Sequence, residues 1–216
     1  MLQPLLMKIF LSITASLLMF VTAMSQGRVV ADCTVTYAIS TDETSNKDVN
    51  ESLKASTKTV YIRGNESRSD LVSPSFTQSL LYSKTTGSAV ILREFGNNKF
   101  MTKMDAKTWA AENKKYDGMT VSLANNETKT ILGYECKKAV IQLKDGSAFT
   151  LFYATAIVPS VKEFEYQFKD IPGFVMEFES QEAESKKIRY TATKINLSPV
   201  QASRFDIPTS GYRLLN

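Results

Sequence analysis

Hydrophobic and polar residues alternate along most of the chain with the period of two that is typical of β-strands. The stretch FVMEFES illustrates the pattern, because Phe174, Met176 and Phe178 alternate with Glu177 and Glu179. Most of the alternating segments are separated by short turns rich in Gly, Pro, Asn or Ser. Strands joined by such short turns pair antiparallel, so the pattern predicts an antiparallel meander.

The predicted strands follow one another from residue 33 to residue 197. They are CTVTYAIS, TKTVYIRG, SRSDLVS, FTQSLLYSK, SAVILREF, KFMTKM, MTVSLA, KTILGYECKKAVIQLK, SAFTLFYAT, EFEYQFK, GFVMEFES and KKIRYTATKINL. We expect about ten or eleven strands from these twelve segments, and a flat sheet of that size would curl or split. The sequence therefore predicts a mainly β domain built on a strongly twisted sheet, closed as a half-barrel or as a sandwich.

The strand SAFTLFYAT is apolar on both faces. One face carries Phe149, Leu151 and Tyr153, and the other carries Phe152 between two alanines. Each face must therefore be covered, as in a curved sheet whose concave side is occupied.

Residues 105–116, DAKTWAAENKKY, are the one stretch that favours a helix. Asp105 is a good N-cap, Ala and Lys are good helix formers, and Gly118 ends the segment. Trp109 has two interpretations: it packs the helix onto the sheet, or it closes the mouth of a cavity. A second segment, residues 41–56, is polar and predicts a loop or a short helical excursion.

The hairpin LGYECKKAVIQLKDGSAFTLFYA changes phase within its first strand. Cys136 lies on the opposite parity from Ala139 and Ile141, although all three are apolar. A β-bulge near Lys137 and Lys138 would bring both sets to the inside and would bend the sheet.

The N-terminal residues have the layout of a secretory signal peptide. Lys8 precedes an uncharged apolar run from residue 9 to residue 21, and the small residues Ala23 and Ser25 follow. We predict cleavage of residues 1–25, which leaves 26–216 as a single exported β-rich domain without a transmembrane segment. A retained anchor is the alternative, but the run is shorter than the roughly 20 residues that span a bilayer.

The two cysteines admit three interpretations. Lipid acylation of Cys33 is disfavoured because Arg28 and Asp32 interrupt the approach to it. An exported protein with an even number of cysteines favours a disulfide, here Cys33–Cys136. A reactive Cys136 thiol is the alternative, but of its two neighbouring lysines only Lys138 shares its face of the strand.

Composition argues against catalysis. The chain has no histidine, which removes the usual general base and the commonest metal ligand. No glycine-rich phosphate loop occurs, and 26 basic against 22 acidic residues lie scattered, without a basic stripe for nucleic acid. We predict a protein that is not an enzyme, has no cofactor and no metal site, and does not bind nucleic acid.

Four segments of the second half resemble known families of exported proteins. ILGYECKKAVIQL, FTLFYAT and DIPGFVMEFE are similar to the GLPGLI-type exported proteins of Bacteroidetes, in which a G-L-P-G-L segment follows such strands. Ile171, Pro172, Gly173 and Phe174 stand at the matching places, and Asp170 replaces the leading glycine. The ending SRFDIPTSGYRLL resembles that group and the periplasmic LolA-like proteins, which are related to outer-membrane lipoprotein carriers. The resemblance covers residues 132–215.

The resemblance implies a periplasmic or surface protein of a Gram-negative envelope. It also implies an open half-barrel: one strongly curved antiparallel sheet around a hydrophobic cavity, with one or two helices as a lid. It carries over no catalytic residues.

We therefore predict a non-enzymatic envelope protein that holds a lipid, acyl chain or other apolar ligand in the hollow of the sheet. The predicted ligand-binding residues are Trp109, Phe149, Leu151, Phe152, Tyr153, Phe174, Met176 and Phe178. The alternative is a structural or protein-interaction module whose core is filled by its own side chains, in which these residues are simply core. A filled interior would favour that alternative.

Overall fold

A computed structural model describes residues 27–41, 47–181 and 187–215. The predicted signal peptide, residues 1–25, lies outside the described residues. Within them, no helix has the length and hydrophobicity needed to cross a membrane.

Fourteen strands and two α-helices occur in the described ranges. The strands are β1 Arg28–Val30, β2 Asp32–Thr41, β3 Thr57–Arg63, β4 Glu66–Val72, β5 Thr77–Ser83, β6 Ser88–Phe95, β7 Asn98–Met104, β8 Thr120–Ile131, β9 Tyr134–Gln142, β10 Ala148–Ala154, β11 Ile157–Pro159, β12 Phe174–Gln181, β13 Lys187–Asn196 and β14 Arg213–Leu215. The helices are α1 Lys47–Lys54 and α2 Ala106–Glu112. Short 3₁₀ turns cover Lys114–Tyr116, Lys162–Phe164, Tyr166–Phe168 and Ala202–Phe205.

Twelve strands form one large, curved, open sheet in the order β14-β7-β6-β5-β4-β3-β2-β13-β12-β10-β9-β8. Two antiparallel meanders, β2 to β7 and β8 to β10, are joined because β12 pairs with β10 and β13 pairs with β2. Among the strands of the described ranges, only β14 joins this sheet parallel to its neighbour, and β1 pairs separately with β11. The predicted fold class is confirmed: a mainly β chain with one strongly curved antiparallel sheet and two helices.

The main core lies against one face of this sheet, which we call the inner face. It carries Val35 and Tyr37 of β2 and Val60 of β3, all fully buried. The segment that connects β10 to β12, residues 155–173, packs here through Phe164 and Phe168. Helix α1 contacts β2, and helix α2 contacts β6 and β7.

Helix α2 begins where the sequence predicts. The Asp105 carboxylate accepts a hydrogen bond from the Thr108 backbone N–H at 2.8 Å, as an N-cap does. The helix ends four residues earlier than predicted, at Glu112. Asn113 closes it, because its side-chain amide donates to the Trp109 carbonyl at 2.9 Å and a 3₁₀ turn follows.

The prediction that EFEYQFK is a strand is wrong, because these residues form two 3₁₀ turns. Phe164 and Phe168 are both buried. The Phe164 ring contacts Phe174 at a centroid distance of 5.6 Å, and the Phe168 ring contacts Phe178 at 5.0 Å. Alternating aromatic residues thus serve here to fill the core from above the sheet, where no strand partner is needed.

The predicted disulfide is also wrong: Cys33 and Cys136 are both free and buried. Cys33 lies on β2 and Cys136 on β9, and three strands separate them in the sheet. Four strand spacings of about 4.8 Å far exceed the Cα separation of roughly 7 Å that a disulfide can bridge. An even number of cysteines in an oxidising compartment favours a disulfide, but it does not show whether the two cysteines lie on neighbouring strands.

The thiols are not activated either. Burial raises the pKa of Cys33 to about 12 and that of Cys136 to about 11. The one lysine expected to share the face of Cys136, Lys138, donates instead to Glu127 at 2.8 Å. Both cysteines therefore act as small apolar residues of the core.

The predicted irregularity at Lys137 and Lys138 occurs, but its extra residues lie on the partner strand. Pairing between β8 and β9 jumps from Ala124 to Thr128 opposite these two lysines. Pairing between β10 and β12 shifts at the same level, between Phe152 and Tyr153. The two shifts bend the sheet, and Cys136 is buried together with Ala139 and Ile141, which have the opposite parity.

Candidate functional site

Most of the predicted ligand-binding residues lie where the inner face is filled by the protein itself. We call the inner face of β9, β10, β12, β13 and β2 the filled half. The predicted ligand-binding residues that are buried in it are Leu151, Tyr153, Phe174, Met176 and Phe178. The Phe178 ring stacks on Tyr190 with centroids 4.6 Å apart and meets Phe168 edge-on at 5.0 Å. That these residues contact a ligand stays a prediction.

Phe149 and Phe152 lie on opposite faces of β10. Phe149 is half-buried and pairs with Ile141 on the inner face. Phe152 pairs with Glu177 and lies under the Lys129 ammonium, whose nitrogen is 5.4 Å from the ring centroid. Phe152 is thus separated from the other predicted residues by the sheet.

Around Phe152 the opposite face, which we call the outer face, carries a buried carboxylate. Glu177 is bound by Lys129 at 2.7 and 2.8 Å, and it accepts from the Thr191 hydroxyl at 2.8 Å. These bonds satisfy the carboxylate, so this cluster stabilises the sheet and offers no free group.

Trp109 lies apart from the filled half, over the strands β5 to β7. Its ring centroid is 6.1 Å from that of Tyr82 and 6.2 Å from that of Tyr166. It packs with Ala89 and Met104, which joins helix α2 to the sheet. The packing interpretation of Trp109 therefore holds, and its position also borders the less covered part of the inner face.

Burial of the inner face decreases along the strands β3 to β7. The cross-strand rows are, from the covered end outward, Ile62-Ser67-Tyr82-Ala89-Met104, Val60-Ser69-Leu80-Ile91-Thr102 and Lys58-Leu71-Gln78-Arg93-Phe100. In the first row only Tyr82 is half-buried and the others are buried, whereas in the third row every residue is half-buried. Beyond it, Phe76 stacks on Phe95, which is 47% exposed.

The apolar residues of this end lie around the Gln78–Arg93 pair in adjacent rows of the sheet, and we call them the inner-face patch. It consists of Leu71, Phe76, Leu80, Ile91, Phe95 and Phe100. Contiguous apolar surface on a folded protein commonly marks a site where something binds. The patch lies beside Trp109, because Leu80 and Ile91 pack against the cluster that contains it.

Three buried polar atoms at the covered end of the patch have no hydrogen-bond partner in the described part of the chain. They are Ser69 Oγ, Trp109 Nε1 and Glu163 Oε2. Ser69 is directly opposite Leu80, and the pKa of Tyr82 is raised by burial and by the nearby Glu163 charge. An unpaired buried polar group costs about 1–3 kcal/mol, so these atoms mark a place where the hydrogen bonding of the described residues is incomplete.

Arg93 is the cation of the patch. Its Nε donates to the Gln78 side-chain oxygen at 2.9 Å, across the third row. No carboxylate of the described residues lies within 4.0 Å of its guanidinium nitrogens. Its charge is therefore not neutralised by a close ion pair within that part of the molecule.

On the outer face, the C-terminal segment covers the same strands. Arg68 donates to the Arg204 carbonyl at 2.8 Å, and the Tyr212 hydroxyl donates to Glu94. Tyr212 also packs on the cluster that contains Leu92 and Met101. The outer face of β4 to β7 is thus partly closed by the chain itself, and the inner-face patch is the more open apolar surface.

The patch was not predicted from the sequence, although the sequence contains a signal for it. In SAVILREF, the strand β6, Ile91, Arg93 and Phe95 share one parity. An arginine between two apolar residues of the same face breaks the apolar pattern of that face, and such a break is a common mark of a functional position.

Neither a protein-family model nor a curated protein matches this chain. Among solved structures, an uncharacterized conserved protein from Thermus thermophilus is similar, with a TM-score of 0.50, 8% identity and coverage of 86% of this chain and 90% of that one. At that identity the similarity shows the fold alone.

Two further structures are less similar. One is the complex of MucA and MucB from Pseudomonas aeruginosa, with a TM-score of 0.43, 9% identity and coverage of 82% of this chain and 56% of the other. The other is a LolA superfamily protein from Nitrosomonas europaea, with a TM-score of 0.33, 11% identity and coverage of 82% and 91%.

Proposed function

We propose that this chain is a non-enzymatic exported protein of the bacterial envelope that binds an apolar or amphiphilic ligand on the inner-face patch. The observation that carries the proposal is the half-buried apolar surface beside three unpartnered buried polar atoms. Binding sites for small molecules combine apolar walls with a few polar groups in this way.

The non-enzymatic part of the proposal is supported by the side chains available. Histidine is absent, and both thiols have a raised pKa, so neither is a ready nucleophile at neutral pH. The buried carboxylate Glu177 is fully engaged in hydrogen bonds.

Export and family membership are supported by the sequence. The N-terminal pattern is that of a signal peptide, and the DIPGFVMEFE segment resembles the GLPGLI-type proteins of Bacteroidetes. The architecture fits the LolA-like half-barrel that the resemblance implies. We place the protein in the periplasm or at the outer membrane on these grounds.

Of the predicted ligand-binding residues, we now assign Trp109 to the border of the ligand. Leu151, Tyr153, Phe174, Met176 and Phe178 support the sheet from the filled half. Phe149 and Phe152 lie on β10, away from the patch.

The second candidate is a structural or protein-interaction module. The filled half favours it, because Phe164 and Phe168 occupy the space that a deep ligand cavity would need. In that case the inner-face patch contacts another protein.

Native mass spectrometry of the protein purified from its own host tests the proposal. We expect a copurifying lipid or acyl compound at one molecule per chain, and its removal should permit rebinding of acyl probes. A protein that carries no such compound and binds no acyl probe would rule out the carrier function and favour the second candidate.

A further inference from the structure

We infer that the ligand is a long-chain carboxylate whose head group is bound by Arg93 and whose chain runs along the inner-face patch toward Trp109. The inference rests on the proposed function and specifies its ligand class. It follows from the position, the hydrogen bonds and the charge environment of Arg93.

Arg93 lies within the apolar surface of the patch and not at a polar margin. It pairs in register with Gln78 on one side and Phe100 on the other, and Ile91 and Phe95 precede and follow it on the same face of β6. It is half-buried, so its guanidinium is partly removed from water. A partly desolvated charge is costly unless a partner of opposite charge binds it.

The hydrogen bonds of Arg93 leave the end-on edge of the guanidinium, formed by its two Nη groups, unused. Gln78 takes the Nε–H, and no described residue accepts from either Nη group. The Gln78 bond holds the guanidinium plane in place, and a fixed guanidinium is suited to a carboxylate that accepts two parallel hydrogen bonds.

The other half-buried cation of these three rows is neutralised. Lys58 begins the third row and forms an ion pair with Glu165 of the segment that crosses the inner face. Arg68 on the outer face is likewise paired with Asp70, at 2.7 Å. Arg93 is thus distinguished from its cationic neighbours by its lack of a close carboxylate in the described residues.

The charges also give the ligand a direction. Glu163 lies near Tyr82 at the covered end of the patch, where its charge contributes to the raised pKa of Tyr82. An anionic head group would be repelled there and attracted at Arg93, so the apolar chain points toward Tyr82 and Trp109. One uncompensated cation matches one negative charge, which favours a carboxylate over a doubly charged phosphate monoester.

The test compares decanoate, decanol and decyl phosphate as competitors for N-phenyl-1-naphthylamine, an uncharged apolar fluorophore. The variants are Arg93→Met, which keeps the length and removes the charge, and Arg63→Met, a control at an exposed arginine on the outer-face parity of β3. In the wild type, decanoate should bind about tenfold more tightly than decanol, the effect of one charge-assisted hydrogen-bonded pair.

In Arg93→Met, decanoate and decanol should bind equally and decanol should bind as in the wild type, which also shows that the site is folded. Arg63→Met should keep the tenfold preference, and Arg93→Lys should restore part of it. Equal binding of decanoate and decanol by the wild type, a preference that survives in Arg93→Met, or tighter binding of decyl phosphate would overturn the inference and leave the proposed function standing. If none of the three competitors binds, both fail.

Discussion

Buried polar side chains of this protein are of two kinds, and their difference can be measured at single residues. The Tyr37 hydroxyl is fully buried and donates to the Val175 carbonyl at 2.7 Å. The Ser69 hydroxyl is equally inaccessible, yet it has no partner in the described part of the chain. The first kind stabilises the core, whereas the second belongs to the proposed ligand site.

We expect Tyr37→Phe to lower the free energy of unfolding by about 1–3 kcal/mol, because it leaves the Val175 carbonyl without its partner. Ser69→Ala should instead be neutral or stabilising, since no hydrogen bond is lost. Urea denaturation followed by circular dichroism measures both. Destabilisation by Ser69→Ala to the same extent as by Tyr37→Phe would mean that the Ser69 hydroxyl is paired.

The two cysteines should behave as buried free thiols. Without reductant, the denatured protein should show two titratable thiols per chain. The native protein should react with iodoacetamide at pH 8 far more slowly than the denatured protein, because the raised pKa values keep both thiols protonated. If the denatured protein had no free thiol, the result would contradict this expectation and support a Cys33–Cys136 disulfide.

At the scale of elements, the turn that opens β12 explains the glycine of the DIPG motif. A Cβ on Gly173 would lie 2.1 Å from the Ala154 carbonyl oxygen and 2.7 Å from the Tyr153 ring. Only glycine therefore allows β12 to start this close to β10. Ile171 is fully buried beside it, whereas Pro172 is exposed.

Gly173→Ala should destabilise the protein by about 1–3 kcal/mol or more, as overpacking of a fixed backbone does. Pro172→Ala, one residue away on the surface, is the matched control and should change the free energy of unfolding by about 0.5 kcal/mol or less. Thermal denaturation of both variants gives the comparison. Equal stability of Gly173→Ala and wild type would show that β10 and β12 are not in this contact.

Local pattern was sufficient for most elements. The short apolar run in SAVILREF, bounded by turn residues, predicts β6 with its observed bounds, and the capping residue Asp105 predicts the start of α2. The same reasoning failed for EFEYQFK, because aromatic residues at alternate positions also suit two 3₁₀ turns that lie over a sheet. Which of the two forms depends on whether a partner strand is available, and that is not a local property.

At the scale of the whole molecule, the order of the strands in the sheet determines two features that were not predicted from the sequence. Three strands separate Cys33 from Cys136, and the segment 155–173 covers one half of the inner face and leaves the other half more open. Both facts arise from non-local pairing. The sequence therefore predicted the curved sheet, whereas the residues that it predicts to bind a ligand lie mostly in the half that the protein fills itself, and their contact with a ligand stays a prediction.

Buried acids make the stability of the molecule fall at high pH. Cys33 and Cys136 have pKa values of about 12 and 11 against an ordinary value of 9.0, and burial also raises the pKa of Tyr116 to about 12. The folded state thus keeps protons that the unfolded state loses. The contribution of these groups to the free energy of unfolding is therefore complete below about pH 9 and is lost as the pH rises toward 12.

We expect the free energy of unfolding to drop by about 2–4 kcal/mol between pH 8 and pH 10.5, measured by urea denaturation at each pH. Cys136→Ala should show a smaller drop than the wild type, because one of the titrating groups is gone. A free energy of unfolding that is constant over this interval would contradict the burial of these groups.

The central claim is that the inner-face patch binds an apolar chain, and energy transfer from Trp109 to N-phenyl-1-naphthylamine tests it most directly. Trp109 is the only tryptophan and borders the patch, so a bound fluorophore should quench its emission with saturation at one molecule per chain. Ile91→Gln should weaken this binding about tenfold, whereas Leu214→Gln, at an exposed leucine on the outer face of β14, should not. Absence of saturable transfer in the wild type, or equal affinity in Ile91→Gln, would contradict the account.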